Sequence, residues 1–313
     1  MTTQLSVIVP VSEKRFDNIK ELYTEYAEAL DTLDMSYDFT YVIDGHYPEV
    51  SKALDELVES GCPIQVIQLA RYFGEANAIM IGHSHSTGDL LLTLPPYRQV
   101  EAEEIPRIVN ELKEEDVVVC QRWPRSDPKA NQLQARIFHW AFNKFSDIEI
   151  NDLGCGVRVF RRKVLDEIQL YGDQHRFFGL LAYRQGFKVR EIKARQSKHE
   201  QYKRIYSPGV YLRRLLDLLT VIFLTKFTKK PLRFFGMIGA ITFVLGLLVT
   251  LILMVEKFFF GVALSDRPAL LISTLFMVLG IQITAIGILG EIIIFTHARK
   301  LKEYTIDKIV SKR

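Results

Sequence analysis

Short apolar runs alternate with segments of helical periodicity along residues 1–120. The runs are rich in valine, isoleucine and leucine and are bounded by polar or turn-forming residues, which is typical of buried strands. They predict strands at residues 5–9, 39–43, 64–69, 90–94 and 117–120. The intervening segments predict helices at residues 16–33, 49–60, 74–85 and 103–113. This alternation indicates an α/β fold, a mainly parallel sheet sandwiched by helices.

Two much longer apolar runs follow near the C-terminus. Residues 234–255 and 269–290 are uncharged. Each run has about 22 residues, enough to cross a hydrocarbon core of roughly 30 Å as a helix. Buried helices of a globular core are the alternative, but a core rarely supplies two such runs in succession. We therefore expect an integral membrane protein with a two-helix transmembrane hairpin.

Basic residues flank the outer ends of both runs, whereas the connection between the runs carries balanced charges. They are Lys226, Lys229, Lys230 and Arg233 before the first run, and Arg299, Lys300, Lys302 and Lys308 after the second. Because basic flanks stay on the cytoplasmic side, we expect both termini and the soluble domain in the cytoplasm. In a bacterium the membrane would be the inner, or plasma, membrane. The N-terminal MTTQLSVIVP lacks the pattern of a signal peptide, which agrees with this orientation.

Between the soluble part and the hairpin, residues 210–223 carry apolar side chains at helical spacing. This amphipathic pattern predicts a helix lying on the membrane surface, and packing against the soluble domain is the alternative. Four segments result: a soluble domain over 1–208, an interfacial helix and linker over 209–230, the hairpin over 231–298 and a basic cytoplasmic tail over 299–313.

The charge, the cysteines and the absence of some common motifs limit the ligands and partners that we expect for this chain. The net charge of +3 is too small to argue for nucleic acid, and the basic residues gather around the apolar runs, which favours a membrane surface as the anionic partner. The three cysteines are widely spaced and form no CxxC pair, so neither a disulfide framework nor a zinc site is predicted. The chain also lacks the GxGxxG, GxxxxGKS/T and HExxH motifs of dinucleotide, P-loop and zinc-protease sites.

Ligands of open parallel sheets bind beyond the carboxyl ends of the strands, so the residues after each predicted strand are the first to examine. There the chain resembles glycosyltransferase family 2, and within it the polyprenyl-phosphate glycosyltransferases of the dolichyl-phosphate-mannose-synthase type. VIVPVSE is similar to the family's VPVxNE and YVIDGH to its VDDGS, and LARYFGEANAIMIGHSHSTGD and NDLGCGVRVFRRKVLDEI follow its later segments in order. The resemblance implies a GT-A fold, a nucleotide-sugar donor and a polyprenyl-phosphate acceptor at the membrane.

The resemblance also implies site residues. For the nucleotide sugar they are Pro10, Val11, Glu13, Asp44, Arg71, Gly74 and Arg98. For catalysis they are Gln99, which falls on the family's glutamine, and Asp152 and Arg158, which fall on its D-x-G-x-x-F-R segment. A pair that braces a loop is the alternative for Asp152 and Arg158, and Glu13 could equally serve a helix dipole.

Candidates for the lipid phosphate are basic: Arg122, Arg125, Arg136, Lys203 and Arg204. A solvated surface charge is the alternative for each arginine. General attraction to anionic headgroups would explain Lys203 and Arg204 equally well.

The acidic motif of the family is missing. Its D-A-D-L-Q pattern, whose carboxylates usually hold Mg²⁺ or Mn²⁺, falls on Pro95, Pro96, Tyr97, Arg98 and Gln99. Proline has no side-chain ligand and a neutral tyrosine is a poor one, so we expect no metal site there. Ile43 also replaces the first aspartate of the DDGS-like segment, and Pro-Gly-Val at 208–210 replaces a Ser-Lys-Tyr.

Two interpretations follow from these departures. In the first, arginines grip phosphate in place of a metal and the reaction is metal-independent; the candidates are Arg71, Arg98, Arg122 and Arg125. In the second, the chain is a catalytically inactive subunit or scaffold that partners an active glycosyltransferase. A homo-oligomer is left open in both.

Overall fold

The computed structural model describes residues 4–12, 15–125, 136, 148–200, 216, 231–261 and 267–297. The chain divides into two compact units, one containing a β-sheet and the other containing two long helices. Glu13, Lys203, Arg204, the basic tail and all of the predicted interfacial segment except Leu216 lie outside the described residues. The predicted segment boundaries at 208 and 230 also fall there and stay predictions.

The sheet has seven strands in the order β3-β2-β1-β4-β6-β5-β7. They are β1 (Gln4–Val11), β2 (Ser36–Ile43), β3 (Ile64–Gln68), β4 (Leu90–Thr93), β5 (Val117–Arg122), β6 (Arg158–Arg161) and β7 (Val189–Ala194). Strand β6 runs antiparallel between β4 and β5, and the other neighbours are parallel. The mainly parallel sheet predicted from the sequence is confirmed.

Helices cover both faces of this sheet. They are α1 (Ile19–Leu30), α2 (Pro48–Glu59), α3 (Glu75–His85), α4 (Ile105–Asn110), α5 (Lys163–Glu167) and α6 (Phe178–Arg184), with 3-10 turns at Ala102–Glu104 and Gly172–Phe177. Alternate residues of β1 point to opposite faces. Val7 and Val9 therefore join a core with α1, α2 and α4, whereas Ile8 joins a second core with α3, α5 and α6.

Local chemistry explains where the elements begin and how closely they pack. The helix predicted from residue 16 begins only at Ile19, because the Asn18 side chain accepts a hydrogen bond from the backbone N–H of Lys20 and caps the helix. Helix α3 approaches β1 through Gly82, where an added Cβ would lie 2.5 Å from Cγ2 of Ile8. The helix predicted at 103–113 is shorter, a 3-10 turn followed by α4.

The strand order creates a crevice at one edge of the sheet. From β1 the chain moves outward to β2 and β3, then returns to place β4 on the other side of β1. The strand order therefore reverses between β1 and β4, and such a switch point is where open α/β sheets bind ligands.

The second unit consists of α7 (Pro231–Phe260) and α8 (Pro268–His297). Both helices are long and apolar enough to cross a membrane, and most of their apolar side chains are exposed. They pack closely through glycines: a Cβ added to Gly239 would lie 2.6 Å from the backbone oxygen of Gly280. The predicted runs 234–255 and 269–290 lie within these helices.

Candidate active site

Asp44 organises the loops beside the crevice. It follows β2 and is fully buried. Its carboxylate accepts hydrogen bonds from the backbone N–H groups of Phe73 (2.6 Å) and Gly74 (2.7 Å), and its own N–H donates to the oxygen of Val11 (2.9 Å). Gly74 starts α3 with φ of +100°, a conformation that favours glycine. Asp44 thus ties the β3–α3 loop to the ends of β1 and β2.

Three other residues predicted to bind the nucleotide sugar lie at the end of β1 or on the β3–α3 loop. Pro10 and Val11 end β1, and their side chains are buried. A ligand in the crevice would therefore meet mainly their backbone atoms. Arg71 is exposed on the β3–α3 loop, with Cζ 5.0 Å from the ring centroid of Phe73. The structure therefore brings Asp44, Gly74 and the end of β1 together, while their contact with a nucleotide sugar stays a prediction.

Gln99 bridges two loops at the carboxyl edge. It is 2% exposed. Its amide nitrogen donates to the backbone oxygen of Gly154 (3.0 Å), and its oxygen accepts from the N–H of Gly156 (2.7 Å). Because the amide is engaged on both sides, Gln99 fixes the segment after β4 to the loop that precedes β6.

Asp152, Arg122 and Glu200 form a buried ion network at the end of β5. Arg122 donates to both oxygens of Asp152, at 2.7 and 2.9 Å, and to Oε1 of Glu200 at 2.8 Å. Burial opposes ionisation of Asp152, but the charge and hydrogen bonds of Arg122 outweigh it and lower the pKa of Asp152 to about 2. Arg122, predicted to meet a lipid phosphate, is thus already paired with two carboxylates.

Arg158 starts β6 at the same edge and is also buried. Its guanidinium donates to the backbone oxygens of Cys155 (3.0 Å) and His175 (2.6 Å). Nε2 of His175 lies 3.3 Å from the carboxylate of Glu75, at the start of α3. Burial, and then the charge of Arg158, lower the pKa of His175 to about 3, so this imidazole is neutral near pH 7. Arg158 therefore braces this loop through backbone oxygens and not through the alternative pair with Asp152, whose partner is Arg122. Its catalytic role stays a prediction.

The remaining predicted arginines take different places. Arg98 turns toward α1, where it donates to Glu25 (2.8 Å to Oε2) and to Asp17 (3.3 Å). Arg125 is partly exposed after β5, and Arg136 is an exposed helical residue. The guanidinium of Arg98 is thus bound by Asp17, in the loop after β1, and by Glu25 of α1.

Sequence reasoning missed a residue that lies over the crevice. Arg15, from the loop after β1, places Cζ 3.8 Å from the ring centroid of Tyr97, from the loop after β4. Its Nη2 lies 3.8 Å from Oε1 of Glu200. The available signal was position, since Arg15 comes two residues after Glu13 and follows the central strand directly.

The side chains at this place do not fit a divalent cation. Residues 95–97 present two prolines and a tyrosine, and the tyrosine hydroxyl accepts from the Gln99 amide at 3.3 Å. The guanidinium of Arg15 over the same ring adds like charge, which disfavours a second cation. Within the part of the chain that the structure describes, no three His, Cys, Asp or Glu side chains are placed to hold a metal.

The sheet order, the antiparallel β6 and the strand-end loops define a glycosyltransferase of the GT-A type. The sequence model of glycosyl transferase family 2 matches residues 6–169. Over 99% of its length the chain is 32% identical to an undecaprenyl-phosphate 4-deoxy-4-formamido-L-arabinose transferase of Enterobacter sp. (strain 638), covering 94% of that protein. The chain belongs to glycosyl transferase family 2 and is a glycosyltransferase.

A second relative supports this assignment, and the chain is also similar to solved structures. A transferase of the same name from Klebsiella pneumoniae (strain 342) is 30% identical over 98% of this chain and 94% of its own length. Among solved structures, glucosyl-3-phosphoglycerate synthase from Mycobacterium tuberculosis in complex with UDP has a TM-score of 0.48 and 15% identity, over 70% of this chain and 80% of that one. A mannosyltransferase from Pyrobaculum calidifontis in complex with GDP-Man and Mn²⁺ has a TM-score of 0.49 and 13% identity, over 71% and 64%. The relatives are named transferases, so the inactive-subunit interpretation has no support from them.

Proposed function

We propose that this chain transfers a sugar from a nucleotide-sugar donor to a polyprenyl phosphate at the cytoplasmic face of a membrane. The similarity to a named undecaprenyl-phosphate sugar transferase carries the proposal, because it spans 99% of the chain and so includes both long apolar helices. Two membrane-spanning helices would hold the enzyme at the surface where a lipid acceptor is found. A polyprenyl acceptor stays in the bilayer, so an anchored enzyme meets it by diffusion in two dimensions.

The chemistry asks little of a catalytic base. In the transfer, the C1–O bond to the donor diphosphate breaks and its electron pair stays on that oxygen. An oxygen of the lipid phosphate forms the new bond to C1. A phosphate monoester has a second pKa of about 6, so the attacking oxygen is already ionised near neutral pH. The neutral His175 and the paired Asp152 are consistent with a site that need not remove a proton.

The crevice between the ends of β1 and β4 is the proposed donor site. Asp44 and Gly74 shape one side of it, and the Gln99 bridge shapes the other. The proposed lipid-phosphate contacts are Arg125, Arg136, Lys203 and Arg204, while Arg122 holds the loop that contains Asp152. The basic flanks of the hairpin support the proposal that this unit is cytoplasmic.

The test uses the full chain in detergent, with undecaprenyl phosphate and a panel of UDP- and GDP-sugars. Mass spectrometry of the extracted lipid is expected to show the lipid phosphate with one added sugar. Release of nucleoside diphosphate without a glycolipid would assign another acceptor, and failure of every nucleotide sugar to bind would refute the proposal. Arg190→Gln is the control for arginine substitutions in this assay and should form the product like the wild type. Arg190 is an exposed arginine of β7, and its partner among the contacts described is Glu111.

Orientation is tested separately by proteolysis. Protease added to inverted membrane vesicles is expected to cleave the sheet unit, whereas protease added to intact spheroplasts leaves it whole. Cleavage in spheroplasts would contradict the cytoplasmic placement.

A further inference from the structure

Release of the nucleoside diphosphate requires a positively charged group in the crevice. Negative charge builds on the leaving phosphate as its bond to the sugar breaks, and a preorganised positive group must stabilise that charge. Residues 95–97 supply no carboxylate to hold a metal there. The positive charge therefore has to come from a side chain of the protein.

Arg15 is held in the crevice by contacts between the loops that follow β1 and β4. The N–H of Asp17 donates to the backbone oxygen of Pro96 (2.9 Å), and the N–H of Arg98 donates back to Oδ2 of Asp17 (2.9 Å). These two bonds join the loops on the α1 side of Arg15. The arginine is thereby positioned at the switch point between β1 and β4 and not on an independent surface loop.

Tyr97 forms a fixed platform beneath the guanidinium. Its backbone oxygen accepts from the hydroxyl of Tyr26 (3.3 Å), and its own hydroxyl accepts from the Gln99 amide (3.3 Å). The guanidinium carbon lies 3.8 Å from the centre of the ring. An arginine stacked on a ring keeps its N–H donors in the guanidinium plane, in the fork geometry that matches two phosphate oxygens.

Exposure distinguishes Arg15 from the two buried arginines of this edge. Arg122 is bound to Asp152 and Glu200, and Arg158 to backbone oxygens. Arg15 also forms an ion pair with Glu200, at 3.8 Å between Nη2 and Oε1, but its side chain is 27% exposed, against 9% for that of Arg122. A ligand can therefore reach the side chain of Arg15 more readily than that of Arg122.

No carboxylate of residues 95–97 competes with a phosphate for the guanidinium of Arg15. Two carboxylates with a divalent cation sum to zero, so in such a site the metal first offsets its own ligands. Here residues 95–97 are uncharged, and Arg15, which lies over Tyr97, shares the carboxylate of Glu200 with Arg122. Building on the proposed function, we propose that Arg15, stacked on Tyr97, binds the donor diphosphate in place of a divalent cation, so that binding and transfer are metal-independent.

The test measures binding of UDP, GDP and UMP to the full chain in detergent by calorimetry, with EDTA and with Mn²⁺. The wild type is expected to bind at least one of the two diphosphates equally well in both conditions. Because a charge-assisted bidentate contact is lost, Arg15→Gln should weaken that diphosphate about 10- to 100-fold. UMP should change less than about 3-fold, because the contact is to the second phosphate. Arg15→Lys should lie between, and the control Arg190→Gln should match the wild type.

Each outcome supports or contradicts a stated part of the proposal. Equal diphosphate binding by Arg15→Gln and the wild type overturns the role of Arg15, as does an equal loss for UMP and the diphosphate. Glycolipid formation that EDTA abolishes overturns metal independence while the proposed function stands. Absence of nucleotide binding in every condition removes both. If Arg15→Gln does not fold by circular dichroism, Tyr97→Phe and Tyr97→Leu take its place: the phenyl ring should retain diphosphate binding and the leucine should lose it.

Discussion

Asp152→Asn tests how much the buried ion pair at the end of β5 contributes to stability. In the folded chain the pKa of Asp152 is lowered from 3.8 to about 2. At about 1.4 kcal/mol per unit, this shift corresponds to roughly 2 kcal/mol of stability from the ionised form. The asparagine removes that charge and leaves Arg122 with Glu200 alone. Breaking a buried pair costs about 3–5 kcal/mol, and the remaining partner places the expected loss near the lower limit.

The pH dependence gives the prediction its sign. Because the folded pKa is the lower one, the contribution of Asp152 is fully present above about pH 4 and is lost as the pH falls toward 2. The difference in unfolding free energy between the wild type and Asp152→Asn should therefore shrink over that range. Both tryptophans of the chain, Trp123 and Trp140, precede the long helices, so fluorescence during urea unfolding of the full chain in detergent reports on the sheet unit.

The control for this experiment is Asp34→Asn, an exposed aspartate for which we expect a change within about 0.5 kcal/mol. Equal stability of Asp152→Asn and the wild type at pH 7 would refute the reasoning. So would a difference that stays constant from pH 5 to pH 2.

Three further predictions concern other parts of the chain. Gln99→Leu leaves the backbone groups that it bridges without partners, so the unfolding free energy should fall by about 1–3 kcal/mol in the same urea assay; an unchanged midpoint would contradict the bridge. Gly280→Leu should disrupt the helix pair and lower the temperature at which the detergent-solubilised chain aggregates, whereas Gly236→Ala, whose added Cβ meets only a leucine side chain of its own helix, should not. In native protein, maleimide should label the partly exposed Cys62, whereas Cys120, whose thiol pKa is raised by burial, should react only after unfolding; labelling of Cys120 in folded chain would contradict its burial.

Much of the fold was readable from local patterns. The strands from β1 to β5 and the two long helices appear as apolar runs, because burial of a strand or a membrane span demands consecutive apolar residues. Strands β6 and β7 were not predicted. β6 reads RVFR, with arginines at both ends, and its place between β4 and β5 depends on pairing with residues distant in sequence. The helix predicted at 103–113 was too long for a related reason. Its periodicity can be read from the local sequence, but its length also depends on packing against residues distant in sequence.

The candidate site divides in the same way. Sequence order alone indicated that residues after β1, β2 and β4 meet at one edge, and it showed that carboxylates are missing from 95–97. Only the tertiary structure decided where each arginine lies relative to that edge. Arg98 follows β4, but its side chain turns toward α1. Arg122 is paired with Asp152 and Glu200. Arg15 lies over the ring of Tyr97. The direction of a long side chain depends on the partners it meets across the fold, and no pattern along the chain records those partners.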